Sequence, residues 1–285
     1  MRLLQRSLVA ALLVFCPWEP APAQDYRTTT ASRRPAGEPD LSVTVEYGAG
    51  NFRLGSAAGP FLYRTSLRYD ASLFRPVHEY DVALRRLTLG IEGLDGGIRV
   101  SKRELPEQRL EVVLSPEVPA ELELTFGAGS AEIELGGMSL QSAAVRTGAS
   151  ETRVSFASPN RIRCEDLRFE VGAIDLRVSG LGNSRCSAIS LKGAAADVTL
   201  DFSGEWPDSG SVSVDLALGM GSVTLEIPRS VGLSARVDRF LASFDRSGLR
   251  RRGERYYSAD YDSARVKVDL DVKAALGSVE IRWRD

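Results

Sequence analysis

The chain is 285 residues long and sets 36 Lys and Arg against 38 Asp and Glu. A nucleic-acid binder would carry a strong basic excess, so this balance excludes that class. The length suffices to bury a substantial core, as one elongated unit or two close-packed ones.

Arg2 and Arg6 precede an apolar run from Leu8 to Phe15, and Ala21-Pro22-Ala23 follows. A basic start, a short apolar middle and a small-x-small site predict a signal peptide over residues 1–23. The run is too short to span a bilayer, which takes about 20 residues. Cys16 follows Phe15, where a lipoprotein signal carries a small residue, so a soluble exported protein is expected and lipidation of Cys16 stays open. Residues 24–40 hold almost nothing to bury and read as a disordered linker.

From Leu41 onward the period is two. Leu41, Val43, Val45 and Tyr47 alternate with polar residues, as do Val212, Val214 and Leu216, and Val266, Val268, Leu270 and Val272. Strands with one buried face require that spacing. Residues 41–115 predict an N-terminal β subdomain. Its aromatics (Phe61, Tyr63, Tyr69, Phe74) and a hairpin turn at Asp95-Gly96-Gly97, running into Ile98-Arg99-Val100, suit a cap that blocks an open edge.

Residues 116–285 are repetitive. Tyr47-Gly48-Ala49-Gly50 returns as Phe126-Gly127-Ala128-Gly129, and small residues recur around Gly148, Gly172, Gly193, Gly219 and Gly277. Arg163, Cys164, Leu167, Phe169, Asp175, Leu176 and Val178 match Arg185, Cys186, Ile189, Leu191, Asp197, Val198 and Leu200, each 22 residues later. Backwards, Val154 aligns with Leu176 and Ile133 with Val154. Forwards, Val198 aligns with Val223 and Val223 with Val279. Steps of this size predict an all-β, stacked-rung, solenoid-like domain in which each rung buries its neighbour's apolar face. Glycine serves the corners, since it takes positive φ without steric cost. Ordinary hairpin glycines of a β-sandwich are the alternative. Trp283, on the last strand, is expected to close the far end.

Val45-Glu46-Tyr47-Gly48-Ala49-Gly50, Leu62-Tyr63 with Arg68-Tyr69 and Phe74-Arg75-Pro76, and the tail from Tyr256-Tyr257 through Val266–Leu270 to Leu276–Ile281 resemble the toast-rack proteins. That family includes the extracytoplasmic part of LiaF-like envelope-stress proteins. The resemblance implies an all-β stacked fold and an envelope role. LiaF-like members carry membrane helices ahead of this domain, whereas here only an export signal precedes it.

Candidate chemistry is sparse. The one histidine, His78, sits in Pro76-Val77-His78-Glu79-Tyr80, with no G-x-S-x-G elbow in the chain. It reads as a strand or turn residue. Asp175 and Asp197 fall at equivalent points of successive rungs, with Glu132 and Ser222 roughly equivalent. Such rows suit solvated corners better than calcium, since the nonapeptide repeat of a calcium β-roll is absent. No catalytic residue, metal ligand or cofactor is assigned. Arg250, Arg251, Arg252 and Arg255 with Tyr256 and Tyr257 form the one basic–aromatic cluster and the candidate partner-binding site, for an envelope protein or an anionic envelope surface; a solvated loop is the alternative. Cys164 and Cys186 would lie one rung apart, at about 4.8 Å. A disulfide accepts that distance, so a rung-to-rung bridge is expected, with two free thiols as the alternative. The functional expectation is an exported, non-catalytic scaffold or interaction module of the bacterial envelope. An envelope-stress regulator with a membrane partner and a secreted β-helix enzyme acting on acidic polysaccharide remain alternatives.

Overall fold

The computed structural model describes residues 25–94 and 107–285. The expected signal peptide with Cys16, and the turn at Asp95-Gly96-Gly97, lie outside the described residues. In chain order the strands are β1 (Tyr26–Arg33), β2 (Leu41–Ser56), β3 (Tyr63–Asp70), β4 (Phe74–Asp81), β5 (Arg86–Gly93), β6 (Arg109–Leu114), β7 (Ala120–Glu134) and β8 (Leu140–Ser155). After them come β9 (Cys164–Ser179), β10 (Cys186–Asp201), β11 (Gly210–Pro228), β12 (Gly232–Phe244), β13 (Leu249–Arg252), β14 (Arg255–Ser258) and β15 (Val266–Arg284). All join one open sheet, in which β2, β7, β8, β9, β10, β11, β15 and β12 lie side by side and parallel.

Chain geometry shows that each long strand is bent. A straight 16-residue strand such as β9 would run about 50 Å. The connection through residues 180–185 reaches roughly 25 Å at most, yet it delivers β10 to the same starting level, with Cys186 opposite Cys164. The burial pattern locates the bend. In β9, Leu167, Phe169 and Val171 point inward, then Ile174, Leu176 and Val178. The inward set changes from odd to even positions at Gly172–Ala173. Each strand is therefore two arms meeting at a corner, with the inner faces of both arms turned toward one core. Phe52, on the second arm of β2, meets Phe126, on the first arm of β7, with ring centroids 4.7 Å apart.

Stacking sets like residues on like. On the first arms Val45, Leu124, Val145, Phe169, Leu191, Leu216, Val272 and Val237 are successive register partners. On the second arms Leu54, Ile133, Val154, Val178, Leu200, Leu225 and Ile281 form the matching row. Each fully buried member stabilises the stack by about 1.5–3 kcal/mol. At the corner, Gly277 has φ 124° and Gly221 φ 127°. A Cβ on Gly277 would stand 1.7 Å from the Gly221 carbonyl oxygen, so the close approach of the two backbones requires glycine there.

Four expectations are corrected. Val154 pairs with Val178, and Leu176 faces Thr152, because the β8–β9 step is two residues longer than the β9–β10 step. Residues 26–33 of the supposed disordered linker form β1, paired along its whole length with β3. Its side chains bury little. An edge strand is held by its backbone, and Thr28-Thr29-Thr30 favours extended geometry. Residue 115 does not separate two units, because β2 is itself a rung, paired with β7 from Leu41 to Leu54. The cap consists of β5 and β4 laid against the first arm of β2, and β6, β3 and β1 against the second. At the far end the chain lays down β12 as the last rung, makes the β13–β14 hairpin beyond it, then returns to insert β15 between β11 and β12. Phe244 meets Tyr256 edge-on at 5.3 Å across that end. Trp283 instead packs on Gly248, its indole N–H donating to the Ser247 carbonyl, and so fastens the loop before β13.

Candidate functional site

Outward side chains form rows across the rungs just as inward ones do. Before the corner, Arg146, Glu170, Lys192, Ala217, Lys273 and Asp238 are successive register partners. Beside this row the chain carries Gly148, Gly172, Gly219 and Ala275, which leave a shallow groove of 1280 Å³ along the corner, ending at Phe240. Arg146 pairs with Glu170 at 3.3 Å. Lys192 and Lys273 take part in no ion pair among the described residues.

The acidic row lies just past the corner. Asp175 faces Asp197 on one side and Glu151 on the other, and Ser222 follows Asp197. Glu132 is not in this row. It pairs in register with Arg53 and Arg153, two residues further from the corner, because Ser130 holds the equivalent place. The Asp197 carboxylate accepts hydrogen bonds from the Ser222 amide at 3.1 Å and hydroxyl at 2.5 Å. Glu151 pairs with Arg153. Among the described residues no three His, Cys, Asp or Glu gather closely enough to hold a metal ion. His78 is exposed on β4, with Tyr63 as its ring neighbour at 5.7 Å.

The basic–aromatic cluster divides. Arg255 is half-buried and reaches back across β12, donating to the Ser234 hydroxyl at 2.7 Å and to Asp271 at 3.2 Å. Arg252 pairs with Asp262 at 2.8 Å. Tyr256 packs on Phe244, and Tyr257 on Tyr261 at 4.9 Å. Burial and the neighbouring Asp269 carboxylate push the Tyr261 hydroxyl above its usual pKa. Arg250 and Arg251 remain outward on β13, the outermost strand. Cys164 and Cys186 stand in register, Cα atoms 4.1 Å apart, and their sulfurs are joined.

The model of the N-terminal domain of toast_rack, DUF2154, matches residues 21–165, more than half of the chain and across the expected boundary at 115. The chain belongs to the toast-rack family. No curated protein matches it. Among solved structures, a candidate cell adhesion protein from Clostridium sporogenes ATCC 15579 is similar over 91% of this chain and 100% of its own, with TM-score 0.50 and 14% identity. A candidate adhesin from Bacteroides fragilis NCTC 9343 covers 91% of this chain and 98% of its own, with TM-score 0.31 and 11% identity. The first likeness is one of fold.

In this toast-rack protein the groove escapes the sequence reading. The glycines mark turns, and nothing in their spacing says that they also floor a channel. One signal was available. Val237-Asp238-Arg239-Phe240-Leu241 aligns with Val272-Lys273-Ala274-Ala275-Leu276, which puts an aromatic at a corner where other rungs carry Gly or Ala. No helix among the described residues is long and apolar enough to cross a membrane.

Proposed function

We propose that this toast-rack protein is an exported, non-catalytic interaction module of the bacterial cell envelope. One observation carries the reading: outward side chains of six neighbouring rungs stand in register beside a glycine-floored groove, with Lys192 and Lys273 making no ion pair among the described residues. Stacked repeats bind through extended surfaces of this kind, because a rigid repeating backbone presents many side chains at fixed spacing. The basic start and small-x-small site at residues 1–23 support export. The adhesion description of the Clostridium structure accords with the reading. Arg250 and Arg251 supply a second outward contact, on β13.

The test is a photo-crosslinking amino acid placed at Lys192, at Arg250, and at Val82 in the cap as a control, in the producing bacterium. The expected result is a discrete adduct from Lys192 that the control lacks. Adducts from no position, or equally from all three, contradict the reading. Fractionation with sequencing of the mature N-terminus checks export separately, and a cytoplasmic, uncleaved chain would refute it.

A further inference from the structure

The corner of the stack changes character along its length. In the first rungs it carries small residues such as Ala128, Ala149 and Ala173. At the far end it carries Met220, Leu276 and Leu241, which are register partners on β11, β15 and β12, with Phe240 beside them. These side chains are 54%, 42%, 66% and 83% exposed. The other exposed large apolar residues among those described belong to the cap, so this row is the stack's own apolar patch. Isolated exposed apolar side chains need no explanation; four side by side on three neighbouring strands do.

We propose that this ridge is a membrane-docking keel, which inserts Phe240, Leu241, Met220 and Leu276 into the interfacial zone of an anionic bilayer. The shape favours a bilayer over a protein partner. The ridge is a convex corner about three strands wide, and four side chains cannot supply the ~800 Å² per partner of a stable protein interface. Interfacial insertion of a few apolar side chains needs no such area, and it leaves the strand backbone at headgroup depth, where water can satisfy the free edge of β12. The charges agree. Lys192 and Lys273 flank the ridge on the groove side without ion-pair partners among the described residues, and Arg239 adjoins Phe240. Glu170, which pairs with Arg146, and Asp238 are the acids in that row, and its three cations outnumber them. The opposite flank presents the hydroxyls of Ser222, Ser278 and Ser243, with Asp197 occupied by Ser222. Cations beside an apolar insert add electrostatic attraction to anionic headgroups.

The keel deepens the reading of the protein as an envelope module and rests on its meeting a bilayer, but purified components test it whatever the protein's location. The purified chain is sedimented with vesicles of phosphatidylcholine alone and of phosphatidylcholine with phosphatidylglycerol. Binding is expected to be stronger to the anionic vesicles and to weaken with salt. Phe240→Ser with Leu241→Ser should cost about tenfold or more in affinity. Lys192→Ala with Lys273→Ala should cost several-fold on anionic vesicles and little on neutral ones, and Val82→Ser nothing. All these sites are exposed, and circular dichroism checks that each variant folds. Absence of vesicle binding by the parent chain would overturn the proposal. So would binding that ignores the ridge substitutions, or a dimer dispersed by Phe240→Ser and Leu241→Ser with no vesicle association.

Discussion

Asp70 shows how a polar side chain can hold a polar edge. It ends β3, is almost fully buried, and accepts hydrogen bonds from the Ser72 amide at 2.9 Å, the Ser72 hydroxyl at 2.6 Å and the Asp25 amide at 3.3 Å. Burial opposes its ionisation, but these donors outweigh it and hold the carboxyl below its ordinary pKa. A carboxylate depressed in the folded state contributes stability above its unfolded pKa, about 3.9, and that contribution is lost as pH falls through the folded value. Stability should therefore decline below about pH 4. Asp70→Asn should lower stability at pH 7 by about 1–2 kcal/mol and flatten the decline on acidification. Urea titrations at several pH values measure both effects; an unchanged acid slope in the variant would assign the dependence elsewhere. Little of this was legible beforehand. Asp70 and Ser72 are ordinary turn residues in the sequence, and only the pairing of β1 with β3 brings Asp25 to them.

At the scale of the rung, the corner and the bridge carry separable loads. Gly277→Ala places a methyl against the Gly221 carbonyl and strains a backbone at φ 124°. The expected cost is about 2–4 kcal/mol. Gly37→Ala is the control, with φ 90° but open space around it, and should cost about 1 kcal/mol. Equal losses from the two would mean that rungs are not in contact at the corner. The pair Cys164 and Cys186 closes a separation of 22 residues. Replacing both by Ala should lower stability by about 3 kcal/mol in the oxidised protein and change nothing under reductant. Thermal melts with and without reductant read this directly. Period-two alternation and the 22-residue offset made β9, β10 and the pairings of Leu176 with Val198 and Val223 with Val279 readable in advance. The β8–β9 step did not yield to the same count, because the extra residues sit in the return loop, where no apolar period constrains length.

At the scale of the whole molecule, a stack of bent rungs has two ends and one corner line, and each is treated differently. Among the described residues, the N-terminal end is covered on both arms by five short strands, and the far end by a hairpin that pairs with β12 only at Ser234 and Ala235. Which strand stands next to which is a long-range property, so the place of β1 and the insertion of β15 inside β12 could not be read from local pattern. β2 is the decisive case, since its first arm and corner resemble those of β7 although 79 residues separate register partners such as Asn51 and Ser130. The most direct test of register stacking is disulfide trapping between Asn51→Cys and Ser130→Cys, with Asn51→Cys and Glu132→Cys as the offset pair, followed by mass spectrometry without reductant. Rapid, near-complete linkage of the first pair and little of the second is the expected result. No linkage of the first pair, or linkage of both alike, would contradict the stack.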